Sequence, residues 1–221
     1  SEHADLRLRA AKVLAHRGDP KAADVLAGFL RSEEHGDDAM EALVELAHAR
    51  PQAPTADAAG RAAALALSAR LEDDPDKTAP RSELVEALTR VAHPAAEPTL
   101  LRLLNEADPK NEQAAIRLEV LGALRSLSLL KDAKPQRLSD GTLRPKHDEA
   151  LALRILTEAV RHSDVEVRRQ ACEWIKDLDG AGAEALAARL LADRIPEVRV
   201  AAAEALAFRA EHVPGASLDA L

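Results

Sequence analysis

The sequence has no tyrosine, one tryptophan, two phenylalanines, one cysteine and one methionine. A lone cysteine excludes a disulfide within the chain and any paired-cysteine metal knuckle. With so few aromatic and β-branched residues, a sheet has little to be built from. No apolar run approaches the ~20 residues of a membrane span, because Arg, Glu or Asp interrupts every stretch. The sequence offers no GxSxG elbow and no phosphate-cradling glycine loop. What fills the space is alanine and leucine, 48 and 34 of the 221 residues. Both favour helix, so the chain reads as all-α. Charged residues make up 31%, yet the net charge is only −8, which describes a folded acidic protein rather than a disordered polyanion. The opening Ser1-Glu2-His3-Ala4-Asp5 shows neither an initiating Met nor an export signal. A piece of a longer cytoplasmic protein is expected, although a processed start would conceal such a signal.

Four stretches superimpose. Leu6-Arg7-Leu8-Arg9-Ala10 with Leu14, Ile116-Arg117 with Val120 and Leu124, Val167-Arg168 with Ala171 and Ile175, and Val198-Arg199 with Ala202 and Leu206 share one pattern. An aliphatic-Arg pair is followed by a small or aliphatic residue at i+4 and an aliphatic one at i+8. Those positions fall on one face of a helix, so each stretch should bury the same stripe. The last two pairs lie 31 residues apart, and the second and third 51 apart, which is one repeat plus an insertion of about twenty.

Helix starts and stops alternate through the rest. Asp19-Pro20, Asp37-Asp38, Thr55, Pro80 or Ser82, Pro98 and Asp108-Pro109 open helices before the insertion. Four more follow at about 148–161, 164–178, 181–192 and 195–210. Eleven helices result, a lone first one and five pairs. A helix pair cannot bury its apolar stripe alone, so neighbours must stack into a solenoid.

The stretches Asp164-Val165-Glu166-Val167-Arg168 with Ala171, and Pro196-Glu197-Val198-Arg199 with Ala202, Ala205 and Leu206, resemble HEAT repeats of the short bacterial kind. The likeness extends to 6–14 and 116–124; over 35–92 the helices fit but the aliphatic-Arg pair is missing. The resemblance implies a right-handed α-solenoid of about five antiparallel helix pairs plus one N-terminal helix, a single domain over 1–221. It further implies a scaffold that binds another macromolecule along the concave surface formed by the second helix of each pair. HEAT-like proteins also include di-iron enzymes, DNA glycosylases and subunits of bilin lyases, and the residues must be weighed against each.

The di-iron chemistry needs His-Glu pairs, but Glu2-His3, Glu34-His35 and Glu211-His212 run in the reverse order, and no two His stand at i, i+4. His16, His48, His93, His162 and His212 instead fall at expected helix C-termini, where a donor meets free carbonyls. Neither a metal nor any other cofactor is expected. A nucleic-acid surface would need a basic stripe and stacking aromatics, which this acidic chain lacks. A bilin would need an aromatic-lined pocket. Cys172 aligns with small residues and reads as core. Trp174 stands where the other stretches have Val13, Ala123 and Ala205, either filling a gap between layers or projecting as a contact.

Two groups of cations remain as candidates for a partner surface. Arg7, Arg117, Arg168 and Arg199, with Arg169 beside them, border the apolar stripe. They either form a ladder with carboxylates of the next layer, for which Asp164, Glu166, Asp193 and Glu197 are available, or an exposed row that meets phosphate or carboxylate. The insertion at about 131–147 carries Lys131, Lys134, Arg137, Arg144 and Lys146 against two acids, and a loop of this length is either mobile or a contact element. The reading reached is a non-enzymatic scaffold with a protein partner, helped by this loop.

Overall fold

The computed structural model describes residues 2–49, 55–73, 80–106, 114–130, 133–138, 141 and 143–212. They build two compact units, one within 1–106 and one within 107–221, and eleven α-helices carry nearly all of both. The expected start of the helix at Asp108-Pro109 lies outside the described residues.

In the first unit the helices are α1 (Glu2–His16), α2 (Ala22–Ala27), α3 (Gly36–His48), α4 (Ala56–Glu72), α5 (Arg81–Val91) and α6 (Glu97–Leu104), with a 3-10 turn at Pro94–Ala96 before α6. α1 packs on α3 and α3 on α5; α2 packs on α4 and α4 on α6. Two rows result, the odd helices in one and the even in the other. Ala39, Ala42, Ala59, Ala63 and Ala64 are buried at these seams with Leu26, Leu43, Leu46 and Leu67. A methyl at each crossing lets helices approach closely, so the layers cohere without aromatic anchors. The chain leaves α1 through Gly18 at φ +71, a conformation that side chains avoid.

The first of the four matched stretches does not bury the expected stripe. α1 turns Leu8, Ala11 and Ala15 inward and leaves Leu6 and Val13 each 58% exposed. Its packing against α2 and α3 selects that face, and no helix among the described residues covers the other.

The second unit holds α7 (Ala114–Leu127), a hairpin of β1 (Gln136–Arg137) and β2 (Leu143–Arg144), then α8 (Glu149–Ala159), α9 (Val165–Ile175), α10 (Ala181–Leu190) and α11 (Pro196–His212). α7, α9 and α11 pack in one row; α8 and α10 pack in the other. Here the stripes hold: Val120 and Leu124, then Val167, Ala171 and Ile175, then Val198, Ala202 and Leu206, are all buried. Helices stacked as hairpin pairs in two rows are the arrangement of an α-solenoid.

The insertion is folded where it is described. Gln136 pairs with Arg144 and Arg137 with Leu143 in antiparallel register, around Gly141 at φ +87. Its base is closed by a bridge between Leu129 and His147, and by Leu130 N–H donating to the Lys146 carbonyl at 2.9 Å.

Candidate partner-binding surface

The matched arginines of α7 and α9 are buried, and each reaches a carboxylate that precedes the next helix of the row. Arg117 on α7 donates to Asp164 Oδ2 at 3.2 Å. The other oxygen of Asp164 caps α9 by accepting from Glu166 N–H at 2.8 Å. One layer on, Arg168 grips Asp193 with two bonds of 2.7 and 3.1 Å and donates to the carbonyls of His162 and Ser163. Asp193 in turn accepts from Ile195 N–H at 2.9 Å, just before α11. Asp164 thus serves the backbone with one oxygen and the preceding repeat with the other, whereas Asp193 gives both oxygens to Arg168 and one of them also to the backbone. The Arg168 guanidinium holds the Asp193 carboxyl below its ordinary pKa. This is the ladder, with the partners that the spacing made available.

Arg117, Arg144 and Arg168, put forward as candidates for partner contact, are therefore buried supports. Arg144 leaves the loop surface altogether, because β2 aims it at the turn between α9 and α10. There it donates to the carbonyls of Lys176 and Leu178 and to Asp179 and Gln136. Arg209 clamps the same turn from α11, donating to the carbonyls of Ile175, Leu178, Asp179 and Gly180. Its burial works against its charge and lowers its pKa, while Glu184 works the other way. Sequence reasoning passed over Arg209. The available signal was an arginine in the buried stripe, four residues after Ala205.

The other candidates are surface residues or lie beyond description. Arg7 is exposed on α1, and Arg199 is exposed while donating to the Asp193 carbonyl at 2.9 Å. Arg169 pairs with Glu166 on its own helix at 2.5 Å. Lys134, Arg137 and Lys146 are exposed on the hairpin, and Lys131 lies outside the described residues.

The histidines divide. His48 and His212 meet the carbonyls of Val44 and Phe208, one turn back, as expected. His16 bonds Glu45 instead, and His93 and His162 accept N–H groups of the turns that follow them, from Ala95 and Asp164. His35 sits with Asp5 and Glu34 at metal-ligand spacing, where an ion pair of 3.1 Å to Asp5 uses its Nε2. His147 is enclosed beside Trp174, their rings 6.2 Å apart. Ser128 Oγ donates to the Arg125 carbonyl at 2.8 Å and so accepts from His147 Nδ1–H at 2.6 Å. His147 Nε2 then carries the lone pair, 3.8 Å from Asp177. Burial lowers the pKa of His147 against the pull of Asp177, with Arg125 and Arg144 adding to the lowering. Trp174 is 1% exposed and fills the space between layers, and burial pushes the Cys172 thiol up to about 12, which removes it as a nucleophile.

Two neighbouring grooves lie on the row of α7, α9 and α11. Between α7 and α9 a cavity of about 260 Å³ is lined by Leu118, Leu121, Gly122, Arg125, Gln170 and Trp174. Between α9 and α11 a cavity of about 350 Å³ has Pro196, Val200 and Ala201 as its apolar part and Arg169, Glu173, Glu197 and Glu204 as its rim.

Residues 153–221 match the sequence model of the HEAT repeats. No curated protein matches the chain. Among solved structures, two crystal structures of engineered proteins are similar. One is 18% identical with a TM-score of 0.41, over 93% of this chain and 90% of its own. The other is 20% identical with a TM-score of 0.40, over 91% of this chain, which spans about half of its length. No described helix is long and apolar enough to cross a membrane.

Proposed function

We propose that this chain, whose C-terminal part is made of HEAT repeats, is a non-enzymatic scaffold that binds a protein partner along the row of α7, α9 and α11. The observation that carries this reading is the pair of neighbouring grooves on that row, apolar at the floor and charged at the rim. An extended or helical segment of another protein lies along such a row with side chains seated in successive grooves. The ladder supports the reading from behind: it spends its arginines on fixing the spacing between inner helices, which sets the spacing of the grooves. The acidic rim between α9 and α11 repels phosphate, so a protein segment with basic and aliphatic residues fits this face better than nucleic acid does. Lys134, Arg137 and Lys146 on the hairpin add a separate basic edge for the same partner.

Selection of displayed peptides on the purified chain tests this. Enriched sequences should carry Lys or Arg beside aliphatic residues, and Glu173→Lys with Glu204→Lys should abolish their capture. Capture that survives both substitutions rejects the row. Replacing Lys134, Arg137 and Lys146 together by Glu tests the hairpin without removing Arg144, which deletion of the loop would also lose.

A further inference from the structure

α1 presents a face that its packing leaves bare. Leu6 and Val13 stand seven residues apart on one line of the helix, each 58% exposed. Arg9 and Ala10 lie between them and Arg17 follows, all exposed. Among the described residues no ion pair engages Arg9 or Arg17. The face is an apolar line edged by two cations.

α11 carries the complement. Val200, 57% exposed, lies between Glu197 and Glu204, and Glu211 continues the same seven-residue spacing. Among the described residues no ion pair engages Glu197 or Glu204. On the far wall of the groove Arg169 is matched by Glu166 and Glu173 by Lys176. The uncompensated charge of this groove is therefore negative, and its apolar part is Pro196, Val200 and Ala201.

We infer that the groove between α9 and α11 receives α1 of a second copy of this chain. Leu6 and Val13 pack on Val200 and Ala201, while Arg9 and Arg17 face Glu197 and Glu204. This rests on the scaffold reading and names a partner for its row. The spacings are close: eight residues separate Arg9 from Arg17 and seven separate Glu197 from Glu204, about 12 and about 10.5 Å along each axis. The two faces differ, so the contact is head-to-tail. Each copy offers one α1 and one groove, so association either closes, as a reciprocal dimer or a ring, or continues as an open chain. A single helix face buries less than the roughly 1,200 Å² of a stable interface, so the contact is weak and depends on concentration. Its charge pairs make it sensitive to salt.

Sedimentation of the full chain across concentration decides the matter. The weight-average mass should climb above that of the monomer at low salt and fall back as salt is added. Val13→Glu should hold the chain monomeric. Arg9→Glu with Arg17→Glu, and separately Glu197→Arg with Glu204→Arg, should each weaken association about ten-fold or more, and mixing the two variants should restore it. All five positions are exposed, and circular dichroism verifies that the helices persist. A constant monomer mass, or a mixture of the two variants that fails to reassociate, would each overturn the inference. Peptide capture by the row in a chain that stays monomeric would do so too, leaving the scaffold reading intact.

Discussion

His147 shows what one buried side chain imposes on the stability of the fold. It is enclosed without charge, and its folded pKa lies below the ordinary 6.5. Below about pH 6.5 the unfolded chain takes up a proton that the folded chain refuses, so folding is favoured fully above that value and less as the pH falls beneath it. Thermal unfolding midpoints at about pH 7.5 and about pH 5.5 should differ more for the native chain than for His147→Gln, in which this proton is missing. An equal drop in both would show that His147 does not supply the slope. The sequence places His147 next to a basic insertion, and nothing local announces its burial. Ser128, which holds its ring, is nineteen residues away, and the bridge between Leu129 and His147 encloses both.

At the level of helices the ladder separates arginines that look alike. Arg168→Ala strands Asp193 and two carbonyls in a buried setting and should cost about 3–5 kcal/mol. Arg199→Ala, at the matched position on α11 but exposed, should stay within about 0.5 kcal/mol. Urea midpoints check both, and equal losses would deny the ladder its role. Helix bounds and the supply of Asp partners were legible because turn chemistry and the aliphatic-Arg pair are local signals. The burial of Arg117 and Arg168 follows from them once two layers are stacked. The orientation of α1 was not legible: Leu6-Arg7 matches the repeat in letters, but which face is covered depends on neighbours, and α1 packs on α2 and α3. The inward turn of Arg144 depends on the hairpin register, set by contacts with a turn more than thirty residues away.

For the molecule as a whole, two compact units need not melt together. The single tryptophan lies in the second unit, whereas helices fill both. Trp174 fluorescence should therefore trace a different denaturation curve from far-ultraviolet circular dichroism, which sums over the chain. Coincident curves would mean that the units unfold as one. The ladder adds a rule of another kind. Since Val167-Arg168 and Val198-Arg199 lie 31 residues apart, residues 165–195 span one whole repeat, with Asp164 just before it and Asp193 near its end. Excising those 31 residues brings Pro196 behind Asp164 and leaves Arg117 with an aspartate to hold. Evolution or a designer can thus alter the reach of this chain in whole modules, whereas a shorter cut inside a helix turns its buried stripe away from the neighbouring layer.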